Sequence, residues 1–391
     1  MPLADRARDA LVEAFGAGGA IHVVAAPGRV NLIGEHIDYH GLPVLPIALD
    51  RKVTVAFRAR ADRRIRAASR GFGWREFSWP PELAPAARGD WENYLRAAAL
   101  AVGRKWAVNR GMDAAVESDL PPAAGLSSSS ALIVAFALAL LRVNRREPDF
   151  AELMEVLPEG EQFVGTRGGG MDHAASLASR PGCASLIEFD PISLRPVPVP
   201  ADWRFLVAHS LTTAEKSGAV REEYNARRAA GVMALERLGA HSYREVLDPE
   251  LAGRLADPRE RDSFLHTTTE ALRVRGAVAA MESGDAVTFG RLLLESHASL
   301  RGRLRVSSPA LDGLVTSAME SGALGARLTG AGFGGCVVVL ARAAGLESVR
   351  AGLIARYYAR REGFDCDRHL IPGIPSGGAL WVRNRGAEPP A

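Results

Sequence analysis

Between Gly28 and Asp50 the chain reads GRVNLIGEHIDYHGLPVLPIALD, so that Arg29, Glu35, His36 and Asp38 crowd between two stretches with the composition of strands. A glycine-bounded turn here would present one cation, two anions and one imidazole to a single small volume. That inventory suits a polyhydroxylated substrate beside an anionic group: carboxylates accept from hydroxyls, imidazole donates or accepts, and a guanidinium grips oxyanions in a bidentate fork. A solvated loop is the plainer reading of the same residues. A second segment, DLPPAAGLSSSSALIVAFALALL at residues 119–141, sets Gly125 and four consecutive serines directly ahead of an apolar helical run. Serines at a helix N-terminus lie where unpaired amides and the positive end of the helix dipole collect an anion, and their hydroxyls can bond phosphate or ligate magnesium. One serine would suffice as an N-cap, and four exceed that need. The sequence G-x-x-x-x-G-K-[ST] is absent and no lysine lies near, so this is a phosphate loop of another class than the P-loop. The third segment, GARLTGAGFGGCVVVL at 325–340, carries glycines at 330, 332, 334 and 335 before a valine run, a density that permits positive φ and close approach of backbone to a ligand.

The elements that must hold these segments are mixed, which predicts an α+β fold. Patterning predicts helix over 1–16, strands at 21–26, 44–49, 53–59 and 65–79 with a turn at 71–73, helix over 91–108, strand at 112–118 and helix over 131–141. Trp91 and Tyr94 stand one turn apart at the start of the helix expected over 91–108. Later segments predict a strand at 205–209 and helices over 221–238, 264–283 and 346–361. PISLRPVPVP at 191–200 holds four prolines in ten residues, which excludes regular helix and places a domain boundary between 1–190 and 191–391. Two domains also suit 391 residues, beyond the roughly 250–300 at which single cores stop growing.

Composition narrows the partners. Charged residues are 24% and hydrophobic ones 47%, as in an ordinary globular enzyme, and a net charge of +3 gives no nucleic-acid footprint. Lysine occurs only at 52, 105 and 216, so the basic charge is arginine throughout, a compositional bias rather than a patch. Cys183, Cys336 and Cys366 have no metal-ligand spacing and are odd in number, as expected of reduced thiols in a cytoplasmic protein. The first residues lack the basic-then-apolar order of a signal peptide. The longest apolar run, 131–141, has 11 residues against the ~20 that a membrane helix needs, so no membrane partner is expected.

Taken in order, the three segments resemble the three signature motifs of the GHMP small-molecule kinases, and GRVNLIGEHIDY is similar nearly residue for residue to the signature of that family's galactokinase branch. The likeness continues through WENY at 91–94, GGGMD at 168–172 and EYNARR at 223–228, and covers essentially the whole chain. It implies a two-domain GHMP kinase fold, with an N-terminal domain like domain 2 of ribosomal protein S5, a ferredoxin-like C-terminal domain and the site in the cleft between them. It implies transfer of the ATP γ-phosphoryl group to the anomeric hydroxyl of D-galactose, with ATP and Mg²⁺ as cofactors. N-acetylgalactosamine or L-arabinose 1-kinase activity, or a sugar sensor without turnover, are the alternatives. A mevalonate or homoserine kinase would lack the GEHxDY carboxylates.

Residue by residue, the resemblance makes Arg29 the cation on the transferring group and Asp172 the catalytic base. Helix capping by Asp172 and an Arg29–Glu35 ion pair are the structural alternatives. Glu35, His36, Asp38, Gly169 and Tyr224 would contact the sugar. Trp91 would lie beside the adenine or, equally from spacing, in the core. Gly125, Leu126, Ser127, Ser128 and Ser129 would bind ATP, with Ser129 also on magnesium. The family's magnesium glutamate falls on Gly160 when counted back from Asp172, between Glu159 and Glu161, and Glu161 is taken for that role. Departures from the common pattern are His40-Gly41-Leu42 after the first-motif tyrosine and His173 after Asp172. The expected partners are a small sugar and ATP, and the expected state is a monomer or weak homodimer.

Overall fold

The computed structural model describes residues 1–79, 83–121, 125–161, 169–212 and 219–382, without the side chains of 161 and 219–221. Helix α1 (Leu3–Phe15) turns Ala7 and Leu11 onto Val23, Ala56 and Ala115 of the strands that follow. Strands β1 (His22–Ile33) and β2 (Leu45–Ala59) pair antiparallel along most of their length. The turn expected around Arg29 is therefore absent. Val30, Leu32 and Ile33 are fully buried, and their burial keeps β1 extended through the motif, leaving only residues 34–44 as connector. A register shift between Pro27 and Arg29 marks a bulge, a device that re-aims a side chain without ending the strand.

The hairpin β3 (Arg64–Ser69) and β4 (Gly73–Ser78) leads to α2 (Glu92–Trp106), β5 (Met112–Ser118) and α3 (Ser128–Val143). From Ser130 to Leu141 every residue of α3 is buried, as a helix apolar on all sides must be. Helices α4 (Phe150–Glu161) and α5 (Met171–Ala178) follow, then the hairpin β6 (Cys183–Glu188) and β7 (Ser193–Pro198). The proline-rich segment at 191–200 is thus largely the second arm of a hairpin. Next come β8 (Trp203–His209), α6 (Ala219–Arg237), α7 (Pro258–Ser283), α8 (Ala286–Ser299) and α9 (Pro309–Glu320). The chain ends through β9 (Gly325–Thr329), β10 (Cys336–Arg342), α10 (Leu346–Leu353), β11 (Leu370–Gly373) and β12 (Leu380–Trp381). The helix expected over 346–361 is α10 continued by a π-helical turn, Ile354–Tyr358.

Two principal sheets result, in the strand orders β12-β1-β2-β5-β3-β4 and β11-β8-β10-β9. The second is wholly antiparallel, and in the first only β3 and β5 run parallel. Its outward residues Leu206, Ala208, Val337 and Val339 pack on α9 and α10, while Phe205, Val207, Val338 and Leu340 join the apolar cluster that holds α3 and the inner face of the first sheet. The halves therefore share one core, and β12 returns to pair with Val24 and Ala25 of β1. No helix among the described residues is long and apolar enough to cross a membrane.

The approach of α8 to β9 depends on two glycines. A Cβ on Gly290 would stand 2.1 Å from the Leu324 carbonyl oxygen, and one on Gly325 would stand 2.3 Å from the Gly290 carbonyl oxygen. Gly290→Ala must push the helix off the strand, at a cost of about 1–3 kcal/mol for an overpacked contact. The urea midpoint is expected to fall by the corresponding amount at constant slope; an unchanged midpoint would contradict the packing.

Candidate active site

Arg29 lies on β1 just past the bulge and points across the sheet at the start of α5. Its Nε and one terminal nitrogen both lie 2.6 Å from Asp172 Oδ1, and its other terminal nitrogen donates to the Gly125 carbonyl at 3.0 Å. Asp172 is the second residue of α5, whose N-cap is Gly170, so the capping alternative fails. The Arg29–Glu35 alternative fails as well, because Glu35 pairs with Arg327 at 3.2 Å. The second oxygen of Asp172 accepts from the Ser127 hydroxyl. Ser127 stands at the N-cap of α3 with φ 56 and makes no side-chain cap bond, so the capping role expected of a serine there is replaced by a bond to Asp172. Burial pushes the Asp172 pKa up, but the Arg29 guanidinium and the Ser127 hydroxyl outweigh it and leave the carboxyl below its ordinary range.

The other first-motif residues gather on the same side. Glu35 is 3% exposed, and its Oε1 accepts from the Gly330 amide at 2.6 Å and the Thr329 hydroxyl at 3.1 Å, while Oε2 accepts from the Asn31 amide at 3.0 Å. His36 Nε2 lies 3.2 Å from the Ala331 carbonyl, which can only accept, so that nitrogen carries the proton and Nδ1 accepts from the Tyr39 hydroxyl at 2.9 Å. Burial holds the imidazole pKa below its usual value, which keeps this tautomer neutral. The His36 ring also packs 5.2 Å from that of Tyr224 on α6. Asp38 Oδ2 accepts from the Gly169 amide at 3.0 Å. A Cβ on Gly169 would meet the Asp38 carbonyl carbon at 2.4 Å, so only glycine admits this contact. Glu35, His36, Asp38, Gly169 and Tyr224 are thus brought together around Arg29 and Asp172.

Of the residues that fasten this cluster, Gly330 stands out in the sequence as a motif glycine, whereas Asn31, Tyr39, Arg327 and Thr329 do not. All of them lie inside or beside the quoted motifs, and a buried position for Arg327, which is 0% exposed, is not readable from type or spacing. The departures from the family pattern are packing residues. His40 lies between Tyr39 and Tyr243, with ring centroids at 4.7 and 4.8 Å, and Leu42 and His173 are buried.

Ser128, Ser129 and Ser130 form the first turn of α3, whose first amides have no partner within the helix. A Cβ on Gly330 would stand 3.4 Å from the Gly125 carbonyl, so the two glycine segments lie against each other. The Leu126 carbonyl accepts from the Arg29 amide at 3.2 Å, and a Cβ on Gly28 would stand 2.6 Å from it. Trp91 is 8% exposed at the start of α2 and belongs to the apolar cluster, the geometry of a core residue. The side chain of Glu161 lies outside the described residues. Gly160 has the Ala97 carbonyl oxygen 2.9 Å from where its Cβ would be, so no ligand side chain can stand there. Among the described residues no group of three or more His, Cys, Asp or Glu could hold a metal. A magnesium ion carried by nucleotide phosphates asks for few protein ligands, and the hydroxyl of the half-buried Ser129 is an oxygen of the type it takes.

Among the described residues no cation is ion-paired with Asp38. Burial first, then the neighbouring charges of Asp172 and Glu35, push its pKa up to about 7. Carboxyl ¹³C NMR is expected to show one aspartate titrating near this value, and Asp172→Asn, which removes a like charge, to move that midpoint down. A midpoint near 4, or one that does not move in Asp172→Asn, would contradict this geometry.

Comparison with known proteins finds relatives over most of the chain. The model of the galactokinase galactose-binding signature matches residues 10–59, that of the GHMP kinases N terminal domain 93–180, and that of the GHMP kinases C terminal domain 277–359. Curated galactokinases of Roseiflexus sp. (strain RS-1) and Chloroflexus aurantiacus are 38% and 37% identical, over 86% and 91% of this chain and 87% and 92% of their own lengths. The crystal structure of Lactococcus lactis galactokinase complexed with galactose aligns with a TM-score of 0.86 at 26% identity, covering 95% of this chain and 98% of that one. A Streptococcus pneumoniae phosphomevalonate kinase, at 15% identity and a TM-score of 0.63, shares the fold. With its two-domain α+β architecture and its motifs in family order, the chain belongs to the galactokinase family of GHMP kinases.

Proposed function

We propose that the Arg29–Asp172 pair at the mouth of the serine loop is the catalytic centre, where the γ-phosphoryl group of ATP passes to the anomeric hydroxyl of D-galactose. The protein is an ATP-dependent sugar kinase, a galactokinase. The single observation that carries the catalytic assignment is the guanidinium held 2.6 Å from Asp172 and 3.0 Å from the Gly125 carbonyl, which sets a fixed cation between an ionised carboxylate and the loop that leads into α3. Phosphoryl transfer through a loose transition state asks for positioning and charge neutralisation more than covalent chemistry. The anomeric oxygen attacks the γ-phosphorus, the bond to the β-bridging oxygen breaks and ADP leaves. Asp172 receives the hydroxyl proton. A carboxyl held below its ordinary pKa is a weak base, so the proton moves late, once the new P–O bond has acidified the hydroxyl.

In this reading Asp38, His36, Tyr224 and the free side of Glu35 face the sugar, with Gly169 closing the pocket, and Ser127, Ser128 and Ser129 with Gly125 and Leu126 cradle the phosphates. Magnesium, when bound, neutralises phosphate charge, and Ser129 and Glu161 are assigned to it. Trp91 is assigned to the adenine end on the resemblance alone. The chain is taken to divide near 190/191, at the β6–β7 hairpin, and to act in the cytoplasm as a monomer or weak homodimer. Galactose is favoured over N-acetylgalactosamine or L-arabinose by the galactose complex of the Lactococcus lactis relative.

The test is a coupled ADP-release assay with magnesium and ATP over D-galactose, N-acetylgalactosamine, L-arabinose, glucose and mevalonate. The highest kcat/KM is expected for galactose, and a higher value for another sugar would replace the substrate. Asp172→Asn is expected to lower kcat by orders of magnitude while sparing nucleotide affinity, and Arg29→Ala to cost about 10³–10⁵ by analogy with arginine fingers. Near-normal turnover of Asp172→Asn, or a loss under about tenfold for Arg29→Ala, would reduce these residues to structural roles.

A further inference from the structure

Residues 31–36 of the first motif are fastened to the later half of the chain by a set of hydrogen bonds. The one proton of the Thr329 hydroxyl is shared between the Asn31 carbonyl at 3.0 Å and Glu35 Oε1 at 3.1 Å, and Arg327 donates to the Leu32 carbonyl at 2.8 Å. The Gly34 amide donates to Glu270 at 3.0 Å, and His266 Nε2 to the Glu35 carbonyl at 2.9 Å. Burial pushes the His266 pKa down to about 4, so its other nitrogen accepts from the Ser299 hydroxyl at 2.9 Å. Glu270 has its own cation in Arg273, at 2.7 Å. Arg327 is therefore the cation that serves Glu35.

The Glu35 carboxylate is divided between two tasks. Oε1 accepts from the Gly330 amide and shares the Thr329 hydroxyl, with an Arg327 terminal nitrogen ion-paired to it at 3.2 Å, whereas among the described residues Oε2 accepts from Asn31 alone and keeps a second lone pair for one more donor. A sugar hydroxyl can add only on that second oxygen. The first oxygen holds the Gly330 amide, Gly330 lies against Gly125, and the Gly125 carbonyl holds Arg29. A ligand that fixes Glu35 thereby fixes the backbone of the phosphate loop.

We propose that Arg327 is a positioning residue whose pairing with Glu35 ties the sugar end of the site to the phosphate loop, so that sugar and nucleotide bind with coupled affinities. The proposal rests on the sugar kinase reading above. Without Arg327 the buried carboxylate would lose its counter-charge and turn away from Gly330. Coupling is reciprocal, so each ligand must tighten the other by the same factor.

Isothermal titration of D-galactose, and of a non-hydrolysable ATP analogue with magnesium, each alone and onto the other's complex, measures this factor. Wild type is expected to show at least about fivefold, the lower end of ordinary coupling. Two variants test its route. Thr329→Val deletes one hydroxyl from Oε1 without changing charge, and Glu35→Gln with Arg327→Met removes both charges together, so neither leaves a buried ion unpaired. Both are expected to bring the factor toward one while the analogue still binds alone. A factor of one in wild type, or an undiminished factor in Thr329→Val, overturns the proposal. Absence of galactose binding by wild type overturns the sugar kinase reading itself.

Discussion

Three carboxylates, Glu35, Asp38 and Asp172, meet in a volume that supplies two buried guanidiniums, Arg29 and Arg327. Charges a few ångströms apart near a protein interior interact with about 4 kcal/mol, so the pairing of these five groups governs the state of each. Asp172 takes Arg29 and stays ionised, ready to receive a proton. Glu35 takes Arg327 and becomes a fixed strut. Asp38 is left with the backbone amides of Gly169 and Tyr39, and its carboxyl, pushed up to about 7, is the one that gains or loses a proton near neutrality. One site thus holds three carboxylates in three electrostatic states, distinguished by their neighbours and not by residue type.

The fold exists around this pairing in a specific sense. Arg29, Asn31 and Glu35 come from β1 and the connector after it, Asp172 and Gly169 from the start of α5, and Arg327, Thr329 and Gly330 from β9 and the turn after it. Only close backbone approach can bring these pieces together. Gly28 lets the Leu126 carbonyl reach β1, and Gly169 lets α5 reach Asp38. The shared core behind them, from Val24 and Val55 to Val338 and Leu340, makes the two halves a single packed body in which these approaches are maintained. The Ser127 hydroxyl, freed from capping α3, joins the phosphate loop to the carboxylate of α5.

Much of this was legible in the sequence. The motifs singled out Arg29, Glu35, His36, Asp38, Gly169 and Asp172, and the structure brings them within one cluster. The apolar run after the serines announced the buried helix α3, and the valines at 337–339 announced β10. What could not be read was pairing at long range. Arg29 was expected in a turn because Gly28 precedes it, but the burial of Val30 and Leu32 by the rest of the sheet kept it on a strand. Arg327 looked like any arginine in an arginine-rich chain until β9 placed it under the first motif. The prolines at 191–200 forbade helix but did not forbid an edge hairpin, where a missing amide costs little.

The central claim is that the hydroxyl facing Asp172 is the anomeric one and that the transferred group comes from ATP. ³¹P and ¹H NMR of the product formed from D-galactose, ATP and magnesium tests it most directly. The account predicts a phosphate monoester coupled to the anomeric proton, formed in equal amount with ADP. Phosphate on another hydroxyl, or inorganic phosphate alone, would contradict it.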